Sequence, residues 1–142
     1  MIRALEVNFQ PLIISFCCQW CAYPGADLAG AERLQYPASV RIIKVRCSGM
    51  VHPGLVIEAL DKGADGVMVC GCHPGDCHYL TGPQQAEKTA LAVGLVLEEL
   101  GIDPVRFKLA HISASEGQRF ADLVSEMTEV LTRLGPNPYR SG

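Results

Sequence analysis

The stretch KGADGVMVCGCHPGD, Lys62–Asp76, decides the fold. Gly66–Gly71 (GVMVCG) is a short, continuous apolar run bounded by glycines, the signature of a strand buried on both faces. Before it, PGLVIEALDKG has proline at its start and glycine at its end, which predicts a helix over Pro53–Gly63. After it comes GCHPGDCHY, Gly71–Tyr79, two cysteines and two histidines around a Pro-Gly bend. The unit is therefore a helix, a buried strand and a turn rich in metal-ligand chemistry.

The same alternation extends in both directions. Strands are predicted at Pro11–Cys18 (PLIISFCC), Ser39–Cys47 (SVRIIKVRC) and Arg106–Ser113 (RFKLAHIS). Helices are predicted at Gly25–Gln35, Pro83–Gly101 and Ser113–Gly135. In the last of these Phe120, Leu123, Val124, Met127, Val130 and Leu131 recur at threes and fours, and Ser113 and Glu116 have capping-box spacing. Four strand–helix pairs in succession imply an α/β fold: a four-stranded, mostly parallel sheet with helices on both faces, flavodoxin-like or related doubly wound. With 142 residues the chain reads as a single domain over 1–142, with short irregular ends at 1–10 and 135–142.

Hydrophobic residues make up 49% and charged residues 19%, so either a well-covered sheet or a surface buried against partners is expected. Net charge is −3 with no basic stripe, which argues against nucleic acid. No apolar run reaches the ~20 residues of a membrane span, and MIRALEVNFQ does not read as a signal peptide. A cytoplasmic location is expected, where thiols stay reduced.

All seven cysteines then call for an explanation. Cys17, Cys18 and Cys21 end the first strand, Cys47 ends the second, and Cys70, Cys72 and Cys77 end the third. In an open parallel sheet those ends share one edge, the usual ligand crevice. Cys17 and Cys70 occupy the last apolar positions of their strands and read as packing residues. Cys18, Cys21, Cys47, Cys72 and Cys77 lie where the backbone turns, and converging thiolates require a cation. Spacing alone leaves three readings: an iron–sulfur cluster, a structural zinc that assembles a complex, or a dithiol oxidoreductase using Cys18-x2-Cys21. His73 and His78 could ligate zinc or one iron of a Rieske-type centre, but with thiolates in surplus they are expected near the rim or bonded to loop backbone, with His52 beside a helix cap and His111 in the core. Gly49, Gly71 and Gly75 would let backbone N–H groups approach sulfur, and Asp76 would close the turn. Arg46 is either a charge beside the cysteines or solvated. Trp20, Tyr23, Met50, Val51 and Tyr79 suit an interface core. CCQWCAYPGAD stands where a phosphate loop would follow the first strand, so a bound flavin or nicotinamide is not expected, and no catalytic residue is assigned.

FCCQWCAYPGADLAGAERLQYP, VRIIKVRCSGMV, EALDKGADGVMVCGCHPGDCHYLTG and HISASEGQRFADLV closely resemble the delta subunit family of methyl-viologen-reducing hydrogenase, from about Leu12 to about Leu131. The resemblance implies a small electron-transfer subunit of an oxidoreductase complex carrying a [2Fe–2S] cluster. Four of Cys18, Cys21, Cys47, Cys72 and Cys77 would be its ligands. The implied partners are an iron–sulfur subunit of a hydrogenase or formate dehydrogenase and the flavin subunit of heterodisulfide reductase. The implied setting is flavin-based electron bifurcation, as in methanogenesis.

Overall fold

A computed structural model describes residues 9–31, 39–73 and 82–138. Strands β1 (Ile13–Cys18), β2 (Val40–Val45), β3 (Gly66–Gly71) and β4 (Phe107–His111) form one sheet in the order β2-β1-β3-β4. Every pairing is parallel, with Cys17 opposite Cys70 and Gly71 opposite His111. Helices α1 (Ala22–Ala31), α2 (Pro53–Asp61), α3 (Gly82–Leu100) and α4 (Gly117–Leu134) complete the alternation, with single 3-10 turns at Ser48–Met50 and Pro104–Arg106. The α/β architecture expected from the sequence is the one found.

The two-residue period of the inner strands divides the core. From β1, Ile13 and Cys17 face the side where Met68 and Cys70 of β3 meet α1 and α4. Phe16, with Val67 and Val69 of β3, faces α2 and α3 through Val56, Leu60, Val93 and Leu97. All six residues of β3 are buried, as its unbroken apolar run requires. On α4 the buried stripe is Phe120, Leu123, Val124, Met127 and Leu131, while Val130 of the expected stripe is exposed. Chain order runs outward from β1 in both directions, so the sheet has its topological switch between β1 and β3, and their carboxyl ends flank the crevice.

Several boundaries differ from the expectations. α1 begins at Ala22, three residues before Gly25, because Pro24 is accommodated in the first turn, where its missing N–H has no helical partner to lose. The expected end at Gln35 lies outside the described residues. Only half of the capping box forms: Glu116 Oε1 accepts the Ser113 N–H at 2.8 Å, while the helix itself starts at Gly117. Among the described residues no helix is long and apolar enough to cross a membrane.

Candidate metal centre

Cys18 is the last residue of β1, and Cys72 immediately follows β3. Because these strands are neighbours in the sheet, the two side chains meet across the switch point, both about 1% exposed, with Sγ atoms 3.7 Å apart. A disulfide would hold them at about 2.05 Å. Two thiolates each about 2.3 Å from a tetrahedral metal stand about 3.7–3.8 Å apart, so this spacing is a two-ligand bite. Cys21, at the mouth of α1, adds a third thiol, close enough to influence the Cys72 thiol. Burial, then the Cys21 and Cys18 thiols, push the Cys72 thiol far above its usual range. A cation arriving here must displace that proton, as metals do at thiol sites.

Cys47 enters from the far side of β1. It follows β2, is buried in the same apolar cluster as Cys18 and Cys72, and leads into the Ser48–Met50 turn. That turn is packed onto the end of β3. A Cβ on Gly71 would collide with the Ser48 hydroxyl and lie 2.6 Å from Ser48 Cβ. Gly49 is packed as closely: a Cβ there would collide with the Gly82 carbonyl at 2.8 Å. Absence of side chains lets the turn after Cys47 pack against the end of β3 and the start of α3. Gly71→Ala should therefore cost about 1–3 kcal/mol of stability in urea unfolding. Gly94→Ala, in open space on α3, should raise stability by up to about 1 kcal/mol.

Of the expected ligands, Cys18, Cys21, Cys47 and Cys72 are brought to one edge, and Cys77 lies outside the described residues, as do Gly75, Asp76, His78 and Tyr79. Among the described residues no three Cys, His, Asp or Glu side chains already form a closed ligand group. The all-thiol donor set still fits an iron–sulfur cluster or zinc by its chemistry. Cys17 and Cys70 are fully buried beneath the edge and share the Ser15 hydroxyl, at 3.3 and 3.6 Å. The hydrogen bond to Cys17 and complete burial push the Cys70 thiol up, so it stays protonated. Both are packing residues, as expected.

His73 stays beside the cysteine edge, next to Cys72, and bonds a carboxylate: its Nε2 lies 2.5 Å from Glu116 Oε1. His111 is not a core residue. It is half-buried at the end of β4, and its Nδ1 donates to the Cys72 carbonyl at 2.9 Å. A lone histidine in a strand gives no hint of this; the parallel register that sets it beside Gly71 is the missing information. His52 caps α2 directly, accepting the Gly54 N–H at 2.9 Å. Arg46 is exposed, its carbonyl 3.6 Å from Cys18 Sγ.

Glu116 supplies a pH-dependent contact. Its bond to His73, then the Ser113 N–H, hold its carboxyl down at about 2. The unfolded value is near 4.3, so this contact stabilises the fold fully above about pH 4.3 and is lost as pH falls toward 2. Thermal melts should show wild type above Glu116→Gln at pH 6, with the gap closing between about pH 4.3 and 2.

Around the cysteines, Trp20 (45% exposed) and Met50 (58%) face outward, whereas Val51 is buried in the core and is not an interface residue. Tyr23 is half-buried under the Lys44 ammonium, 5.0 Å from its ring centre, a packing role.

Known proteins similar to this chain accord with the arrangement. The FlpD family, described as methyl-viologen-reducing hydrogenase, delta subunit, matches residues 13–135. The chain is 45% identical over 129 residues to an iron-sulfur subunit of the F420-non-reducing hydrogenase vhc of Methanococcus voltae, covering 91% of this chain and 90% of that one. It is 45% identical over 132 residues to an iron-sulfur subunit of the F420-non-reducing hydrogenase of Archaeoglobus profundus, covering 93% and 96%. It is also 44% identical over 126 residues to one subunit of the ferredoxin/F(420)H(2)-dependent CoB-CoM heterodisulfide reductase of Methanosarcina acetivorans, where the match takes up 89% of this chain but 16% of the larger protein. With a family match spanning β1 to the end of α4, and cysteines meeting at the sheet's switch point, the chain belongs to the FlpD family of methyl-viologen-reducing hydrogenase delta subunits.

Proposed function

We propose that this chain is a single-domain cytoplasmic electron-transfer subunit that holds a [2Fe–2S] cluster through four of Cys18, Cys21, Cys47, Cys72 and Cys77. It links an iron–sulfur subunit of a hydrogenase or formate dehydrogenase to the flavin subunit of a heterodisulfide reductase. The observation that carries the reading is the 3.7 Å bite between Cys18 and Cys72 at the β1/β3 switch. Support for the partners comes from the relatives: two are named as iron-sulfur subunits of hydrogenases, and in a third the same region is part of a larger heterodisulfide reductase polypeptide.

When bound, the cluster supplies one-electron redox chemistry. The chain's own work is to hold, shield and present it. Cys18 and Cys72 bind from the buried side, where Ala22 and Ile112 keep the inner surface dry. Cys21 and Cys47 close in from the two flanking loops. Trp20 and Met50 offer apolar contact area beside the edge, suited to a partner that excludes water during transfer. No bond in a substrate changes within this chain.

The test is protein purified without oxygen, with iron and acid-labile sulfide counted and electron paramagnetic resonance recorded after reduction. Two iron and two sulfide per chain with a rhombic signal are expected. One zinc without sulfide would replace the reading with a structural module, and metal-free protein with a reversible Cys18–Cys21 couple would replace it with a dithiol oxidoreductase.

A further inference from the structure

We propose that His111 is a positioning residue for Cys72, and that it does this together with the first turn of α4. The inference rests on the metal reading above and concerns how one ligand is aimed. Cys72 is the first residue beyond the β3 ladder, so the ladder no longer fixes its direction. What replaces the ladder is a set of contacts from β4 and α4. The Ile112 N–H donates to the Gly71 carbonyl at 2.7 Å, and the His111 ring bonds the Cys72 carbonyl at 2.9 Å. A carbonyl can only accept, so Nδ1 carries the proton and the tautomer is fixed. Behind His111, Arg119 Nε of α4 donates to the His111 carbonyl at 2.8 Å. One residue beyond Cys72, His73 is tied to Glu116, whose carboxylate also holds the Ser113 N–H at 2.8 Å.

Cys72 is thus held on both sides: its own carbonyl by His111, and its successor by Glu116. Both anchors trace to the stretch from His111 to Arg119, which contains none of the cysteines. A bond to the carbonyl next to a ligand sets the peptide plane, and so the direction in which the thiolate leaves the chain. Partners that orient metal ligands in this way typically change metal affinity by about 10–100-fold when removed. The other ring nitrogen, Nε2, stands 3.8 Å from Glu87 Oε1 of α3, within ion-pair distance but beyond hydrogen-bond reach, so Glu87→Gln separates charge beside the ring from the ring's bond to the Cys72 carbonyl.

The experiment titrates cobalt(II) into cluster-free protein without oxygen and follows thiolate-to-cobalt charge-transfer absorbance, alongside the reduction midpoint of the cluster-loaded protein. His111→Phe keeps a ring but removes the donor; His111→Asn keeps an amide nitrogen near the Nδ1 position. Cobalt affinity should fall about 10–100-fold in His111→Phe, return to within about threefold in His111→Asn, and stay unchanged in Glu87→Gln. The cluster midpoint should shift in His111→Phe and not in Glu87→Gln. Equal affinity and equal midpoint in wild type and His111→Phe would overturn the proposal while leaving the metal centre standing. Loss of affinity that tracks the thermal midpoint and is not recovered by Asn would overturn it too, as plain destabilisation. Should His111→Phe fail to fold, Glu116→Gln, which cuts the other anchor, carries the same expectation of weaker cobalt binding. Wild-type protein that binds neither cobalt nor iron at these thiols would fell the metal reading and this inference together.

Discussion

Cys72→Ala is expected to give a folded protein that retains no iron, while Cys70→Ala, two residues earlier, retains a full complement. The contrast follows from where the backbone stops being a strand. Cys70 is inside β3, opposite Cys17, with its thiol turned into the core and hydrogen-bonded to Ser15. Cys72 is past the last ladder residue, with its sulfur 3.7 Å from that of Cys18. Structural zinc sites with four ligands release about 10–16 kcal/mol on binding, so one thiolate accounts for roughly 2.5–4 kcal/mol, about 70- to 900-fold in affinity. Cys18→Ala should lose iron equally, since it removes the other half of the same bite. Cys70→Ala should instead cost stability, about 1–2 kcal/mol for a small buried side chain, visible in urea unfolding and invisible in the iron count. Iron retained at the wild-type level in Cys72→Ala would remove this residue from the ligand set.

The particular residues show which information the sequence carries and which it does not. β3 is legible because Gly66–Gly71 is apolar without interruption, and only a strand covered on both faces needs that. Placing the cysteine turns at one edge follows directly, since parallel strands share the direction of their ends. The separation of Cys17 and Cys70 from Cys18 and Cys72 is legible too, because the first two take the last apolar position of a strand and the others lie where the backbone turns. By contrast, the tie between His111 and Cys72 spans 39 residues and depends on β3 and β4 being neighbours in register. Strand order is a tertiary property, and no local pattern encodes it. Gly71 stands out in the sequence for a sound reason, its missing Cβ, but the space is taken by Ser48, which arrives from another crossover unit. Val51 sits in a cysteine loop, which suggests exposure; it is buried because the loop folds back over Val56 and the α2/α3 half of the core.

At the opposite end of the strands, Asp65→Ala should cost about 3–5 kcal/mol of stability and leave the cluster's spectrum unchanged. Asp65 is 2% exposed and precedes β3, as Leu12 precedes β1 and Arg106 precedes β4. Its carboxylate accepts the Leu12 N–H and the Asn137 N–H, each at 2.9 Å. Its carbonyl accepts Arg106 Nη1 at 2.9 Å, and Arg106 Nη2 continues to the Gly135 and Pro136 carbonyls at 2.9 and 3.2 Å. Asn137 Nδ2 in turn donates to the Leu60 and Ala64 carbonyls at 2.9 and 3.0 Å. One carboxylate thereby ties the entry to β1, the entry to β3 and the segment after α4, contacts separated by 53 and 72 residues in the chain. Its removal strands one buried N–H group, of Asn137, and one part-buried, of Leu12, and deprives the buried Arg106 guanidinium of a neighbouring negative charge. Hydrogen bonds to a charged group contribute about 1.5–3 kcal/mol each, and breaking a buried charged network costs about 3–5. That is a large share of the roughly 5–15 kcal/mol typical of a domain, enough to lower the melting temperature by about ten degrees or more. The effect should add to that of Cys72→Ala, because a six-residue strand, about 20 Å, separates the two ends. Asn137→Ala, which cuts only the two side-chain bonds, should cost less. A loss below about 1 kcal/mol in Asp65→Ala would mean that the ends of the strands are fixed by packing alone, and that this buried network has little part in holding the sheet's lower edge.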